Sequence, residues 1–191
     1  MNDTELNIND FNLGEEFDDA MENNLRLPEG QYLAVVKDVE LKFKESTGSV
    51  GWLWQLAINA NNETLESWDT TAKTVGKSYY TYLGKRIAGQ MVYGESGPGF
   101  GAINMLKALN QKTGKLDAVD VKGRQLLVNV VHEPDWQETK AGVPEEDATK
   151  VLSVKSVRAF AQDGVKAPRL PGYEQLAAAE YKPSDDEEIA F

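Results

Sequence analysis

The chain has 191 residues, a formal net charge of −11, 41% hydrophobic residues and no cysteine. That length suits one domain with tails, and the apolar fraction suffices for a single core. The missing cysteine excludes a disulfide framework, a thiolate metal site and a cysteine nucleophile. Met1-Asn2-Asp3-Thr4-Glu5 lacks the basic and apolar regions of a signal peptide, and no apolar run reaches the ~20 residues of a membrane span. A soluble, cytoplasmic protein without membrane contact is expected.

The charge is unevenly spread. Residues 1–27 hold one base and eight acids, and residues 162–191 hold three bases and seven acids. The middle is balanced, but residues 71–124 carry nine bases and three acids. A basic block between acidic ends suits a polyanion-binding surface whose attraction the ends moderate.

Residues 1–27 read as an acidic arm that packs loosely, or as a short acidic helix around Glu15–Glu22. Pro28-Glu29-Gly30 is a turn signal that opens a folded domain at 28–161. Residues 31–44 read as a long strand. Leu33, Val35, Val39, Leu41 and Phe43 share one parity, whereas Tyr32, Ala34 and Val36 share the other, which polar residues take from Asp38 on. A change of apolar parity near Lys37-Asp38 predicts a β-bulge. Glu45–Gly48 is a hairpin loop, Trp52–Ala60 a second strand and Thr64–Thr70 a third strand containing Trp68. Residues 72–100 read as an irregular insertion rich in Gly, Tyr and Lys. Ile103, Leu106 and Leu109 recur at helical spacing, which predicts a helix over 101–112. Gln125–His132 is the fourth strand and Val151–Ala161 the fifth. Residues 162–191 read as a linker, a short helix at Gln175–Ala179 and an acidic tail. Strand, strand, strand, helix, strand, strand is the succession of the OB-fold, a mainly β, five-stranded, partly open barrel.

Four features bear on chemistry. Lys73–Arg86 places four cations (Lys73, Lys77, Lys85, Arg86) and three tyrosines (Tyr79, Tyr80, Tyr82) in fourteen residues. Single-stranded nucleic acid needs cations to follow phosphates and flat side chains to stack on bases. The alternative is a hairpin whose tyrosines cover the core. Trp52, Trp54, Trp68 and Trp136 are further platforms, although tryptophan is more often core. Trp136 sits in the loop between the fourth and fifth strands, which lines the cleft of OB-folds. Gly97-Pro98-Gly99-Phe100-Gly101 before the helix lacks the Lys-Ser/Thr of a phosphate loop and reads as a turn. His132 is the only histidine and stands without a nucleophile or ligand partner. The Asp117/Asp120 and Glu145–Asp147 carboxylates sit in polar loops. No enzyme, metal or cofactor is expected.

The chain ends Asp185-Asp186-Glu187-Glu188-Ile189-Ala190-Phe191. Four adjacent acids favour an extended, solvated segment. The apolar tip reads as a ligand for a basic surface with an apolar pocket. With the barrel order and the Lys/Tyr segment, this ending resembles the phage-type single-stranded DNA-binding proteins. Leu27-Pro28-Glu29-Gly30-Gln31-Tyr32 also resembles an uncharacterised family of phage proteins associated with replication and recombination genes. The resemblance implies non-specific single-strand binding in DNA replication, recombination or repair, in the host cytoplasm if phage-encoded. It also implies that Asp185, Asp186, Glu187, Glu188, Ile189 and Phe191 recruit partner proteins and compete with DNA for the groove. Nothing in the residues marks a 2′-hydroxyl reader, so RNA stays open, and an oligomer is admitted. The competing classes are a scaffold or virion component that docks through barrel and tail, a DNA mimic, and an OB-fold ligase fragment. The first makes no use of a basic, tyrosine-rich loop. The second needs ordered acids, and the third lacks a nucleophilic-lysine motif.

Overall fold

The computed structural model describes residues 27–94, 97–111 and 116–176. The expected Glu15–Glu22 helix, the end of the expected 175–179 helix and the acidic tip 185–191 lie outside them. The elements are β1 (Gly30–Lys44), β2 (Ser49–Asn59), β3 (Thr74–Ile87), β4 (Gln90–Val92), α1 (Phe100–Ala108), α2 (Ala118–Val121), β5 (Gln125–Pro134), α3 (Trp136–Lys140) and β6 (Lys150–Ala159). They make a mainly β structure with one six-stranded antiparallel sheet in the order β4-β3-β2-β1-β5-β6. The sheet is open, with β4 and β6 at its edges. A small ladder, β7 (Ala161–Gln162) with β8 (Val165–Lys166), follows. The chain packs as two compact units. Among the described residues, the larger comprises 29–94, 97–111, 116–132 and 153–176, and the smaller comprises 27–28 together with 133–152.

The face pattern of the larger unit turns on one residue. In β1 the register with β2 shifts between Val36 and Asp38, so Lys37 is an extra residue. This is where the sequence changes parity. Because side chains alternate along a strand, one inserted residue exchanges its two faces. Tyr32, Ala34 and Val36 before the bulge therefore share a face with Val39, Leu41 and Phe43 after it. Across the ladders that face continues through Trp54, Leu56 and Ile58 of β2 and Leu126, Val128 and Val130 of β5. All but Leu41 and Phe43 are buried. A Cβ added at Gly101 would lie 3.5 Å from Tyr79 Oη and 3.6 Å from Thr81 Cγ2, which puts α1 on this inner side. Ala102, Met105 and Leu106 supply its buried stripe, and Leu109 just after its end is buried too.

The sequence places the third strand at Thr64–Thr70 and treats the Lys/Tyr segment as an insertion. The structure corrects both, because the Lys/Tyr segment is β3 itself, paired with β2 from Asn59↔Thr74 to Ser49↔Lys85. Residues 60–73 form a loop held by side chains. Asn59 Nδ2 donates to the Asp69 carbonyl and Asn61 Nδ2 to Asp69 Oδ2, both at 2.7 Å. Asp69 Oδ1 accepts from the Thr71 amide (2.8 Å) and hydroxyl (2.7 Å). Such local bonds compete with a strand ladder. The Thr71 hydroxyl, then Asn61, hold the Asp69 carboxyl down at about 2. A lowered pKa contributes stability that is present above the ordinary ~3.9 and lost as pH falls toward about 2. The predicted helix over 101–112 is shorter, ending at Ala108.

Trp54 is wholly buried, and its Nε1 donates to Thr81 Oγ1 of β3 at 2.9 Å. Thr81→Val keeps the shape and leaves that N–H without its acceptor. The expected result is a lower urea midpoint at an unchanged m-value, equivalent to about 1–3 kcal/mol. An unchanged midpoint contradicts the assigned role of this bond. Asp69→Ala is expected to speed proteolysis within residues 60–73 at neutral pH, and equal cleavage of parent and variant contradicts the anchoring.

Candidate nucleic-acid interface

The outer face of β1, β2 and β3 presents successive cross-strand rows. They are Asp38–Gln55–Ser78, Glu40–Leu53–Tyr80, Lys42–Gly51–Tyr82 and Lys44–Ser49–Lys85. Tyr80, Tyr82, Lys42, Lys44 and Lys85 thus share one side of three adjacent strands. The carboxylates among them are engaged. Glu40 pairs with Lys42, and Asp38 pairs with Lys122 at 2.8 Å. The Lys122 ammonium is the first cause holding the Asp38 carboxyl below its usual range.

Gly51 sets the shape of this face. A Cβ there would fall 2.1 Å from Tyr80 Oη, so the Tyr80 ring occupies the space a side chain would take. Tyr80 lies along the sheet, while Tyr82 in the next row is 40% exposed. Burial first, and the neighbouring Tyr82 second, push the Tyr80 phenol up to about 12. Beside Tyr82 the backbone of Gly99 passes so close that an added Cβ would sit 2.5 Å from the Tyr82 carbonyl oxygen. The glycines before α1 thus permit a close approach to β3. Phe100, the next residue, is 75% exposed.

The other predicted residues are dispersed. Tyr79 faces inward opposite Trp54, and burial raises its phenol pKa. Lys77 is half-buried on the inner face opposite Leu56. Trp54 is a core residue and not a platform, a correction that follows from its complete burial. Trp52 meets it edge to face with centroids 5.8 Å apart. Trp68 is half-buried in the 60–73 loop. Lys73 is exposed just before β3, and Arg86 is exposed with Nε donating to the Gly89 carbonyl at 3.4 Å. Within the smaller unit, Trp136 is half-exposed on α3 with Lys140 Nζ 4.6 Å from its ring centroid. Asp135 caps that helix by accepting from the Gln137 amide. Asp185, Asp186, Glu187, Glu188, Ile189 and Phe191 lie outside the described residues.

Sequence reading missed Lys42, Lys44 and Phe100. The alternation Lys42-Phe43-Lys44 at the end of a strand was a signal for the first two. Their pairing with Tyr82 and Lys85 depends on register, which no local pattern carries.

The C-terminal segment is fastened beside the start of this face. Gln125 N donates to the Pro168 carbonyl (2.9 Å) and Leu170 N to the Gly123 carbonyl (2.8 Å). Lys37 Nζ donates to the carbonyls of Tyr173 (2.7 Å) and Leu176 (3.1 Å). Residues 168–176, in the stretch read as linker and the start of a short helix, therefore run against the sheet. Among the described residues no group of three His, Asp or Glu side chains is placed to hold a metal ion, and no helix is long and apolar enough to cross a membrane.

No protein-family model matches the chain, and neither a curated protein nor a solved structure matches it.

A raised phenol pKa contributes stability that is present below the ordinary ~10 and lost as pH rises through about 12. Gly51→Ala displaces the Tyr80 ring and is expected to bring that phenol back toward ~10 in an absorbance titration, with Tyr80→Phe identifying the signal. A transition that stays near 12 in Gly51→Ala contradicts the packing described.

Proposed function

We propose that the protein binds single-stranded nucleic acid, DNA in the first instance, along the outer face of β1–β3 and without sequence preference. One observation carries this reading: the register gathers Tyr80, Tyr82, Lys42, Lys44 and Lys85 on adjacent rows of one face. Cations in file track a phosphate backbone, and an exposed ring offers every base the same stacking surface. A single strand can lay its bases on a flat sheet face, whereas a duplex keeps its bases stacked inside.

The strand succession supports an OB-fold reading, with the sheet left open. β1, β2 and β3 form a meander, β4 and then α1 follow β3, β5 returns beside β1 and β6 lies beside β5. In that fold the exterior of the second and third strands is the usual oligonucleotide surface. Under this reading Trp136, in the β5–β6 connection, is a further contact. The acidic tip with Ile189 and Phe191 recruits replication or recombination proteins and screens the basic face. A second reading, docking of a protein partner, is favoured by the exposure of Leu41 (66%), Phe43 (47%) and Tyr93 (50%).

Binding to labelled oligo-dT across a salt series tests the proposal. Lys42→Ala/Lys85→Ala is expected to reduce the salt slope by about 1.4, at about 0.7 per phosphate on a single strand. Tyr82→Ala is expected to weaken binding by about 1–3 kcal/mol at every salt concentration. Parent-like slopes and affinities in both variants contradict the assignment to this face.

A further inference from the structure

The inner face of the sheet runs on past the core. Leu41, Trp52 and Thr81 form one cross-strand row, and Phe43, Val50 and Gly84 form the next. Beyond them Arg86 is level with Gly48, its amide donating to the Gly48 carbonyl at 2.7 Å, and Met91 of β4 pairs with Arg86. A Cβ added at Gly84 would lie 3.2 Å from Tyr93 Cδ1 and 3.5 Å from Met91 Cε, so both side chains reach over Gly84 on this same side. Leu41 is 66%, Phe43 47%, Tyr93 50% and Met91 39% exposed, and Trp52 beside them is half-buried.

Among the side chains of these rows Arg86 alone is charged, whereas Lys42, Lys44 and Lys85 stand on the opposite side. Aromatic residues, Met and Arg, with other charges depleted, mark the core of a protein–protein interface. The area points the same way. At ~200 Å² for a large side chain, the four exposed ones leave roughly 400 Å² uncovered. A standard interface buries ~800 Å² per partner, of which a little over half, roughly 450 Å², is apolar. The patch therefore supplies the apolar part of one such interface.

We propose that two copies of the chain pack these patches against each other about a two-fold axis that crosses the strands at the Phe43–Val50–Gly84 row. A two-fold contact uses the same patch on both copies and needs no second surface. An axis across the strands points the two cores away from each other. It lays the central row on its own copy, with Phe43 near the partner's Phe43 and Tyr93 near the partner's Tyr93. It also exchanges the flanking rows, which brings Arg86 of each copy to the partner's Trp52, a cation–π contact made twice. This mutual match favours a second copy as the occupant. The lysines and Tyr82 of the outer face stay uncovered on both copies, so the inference stands apart from nucleic-acid binding.

The test is sedimentation equilibrium of the full chain without nucleic acid, at concentrations up to ~1 mM, well beyond the micromolar limit for interfaces of this size. The mass is expected to rise from one copy to two and no further. Association is expected to persist as salt rises, because an apolar contact is not screened. Phe43→Ser/Tyr93→Ser, with parent-like circular dichroism, is expected to dimerise at least about tenfold more weakly. Arg86→Ala is expected to do so several-fold more weakly. Val165→Ser, which removes a 55% exposed apolar side chain from β8, and a chain ending before Asp185 are expected to dimerise like the parent. A monomeric parent overturns the proposal, and if the shortened chain then dimerises, the patch belongs to the acidic tip. Masses beyond the dimer, a Phe43→Ser/Tyr93→Ser variant that dimerises like the parent, or dimers that require residues 185–191 overturn it as well.

Discussion

The extra residue at Lys37 is the constraint on which the rest depends. Without the bulge, β1 carries Tyr32, Ala34 and Val36 on one face and Val39, Leu41 and Phe43 on the other. Its lysines then fall on the core side. With the bulge, the whole set shares the inner face, where Leu41 and Phe43 stay exposed, and Lys42 and Lys44 take the opposite face in line with Tyr82 and Lys85. The Lys37 ammonium also binds the carbonyls of Tyr173 and Leu176. Burial lowers its pKa, and Glu174 opposes that effect. One residue thus sets the composition of both faces and ties residues 173–176 to β1.

Core and candidate interface are two sides of the same three strands. Inside, Trp54 and Thr81 tie β2 to β3 with a buried hydrogen bond. One position further along, Leu53 and Tyr80 belong to the outer face. A slip of β3 by one residue along β2 turns Lys85 toward the inner face and takes Thr81 away from Trp54 Nε1, a double penalty that holds the register. The candidate site therefore stands on the same three strands as the core, which suits a surface that must present rings and charges at fixed spacing.

Much of this was legible in the sequence, for physical reasons. The bulge announced itself through a parity change in a strongly apolar strand. β2 and β5 were read from apolar runs, and α1 from its spacing of Ile103, Leu106 and Leu109. β3 was not. Its inward positions are Val75, Lys77, Tyr79 and Thr81, and its outward ones are Gly76, Ser78, Tyr80 and Tyr82. Neither set is consistently apolar, so the period-two signal is absent and only the β-propensity of Tyr, Thr and Val remains. The 64–70 segment had Trp68 and threonines in its favour, yet Asp69 and the asparagines before it close a loop instead. The Tyr–Lys rows were hidden because they join β1 to β3 through pairing across β2.

Fluorescence anisotropy of labelled oligo-dT and of a matched duplex, at low and moderate salt, tests the central claim most directly. Tight, salt-sensitive binding of the single strand with weak binding of the duplex is the predicted result. No binding to either, by the full chain and by a chain ending before Asp185, contradicts single-strand binding and turns attention to protein partners of the exposed apolar side chains and the acidic tip.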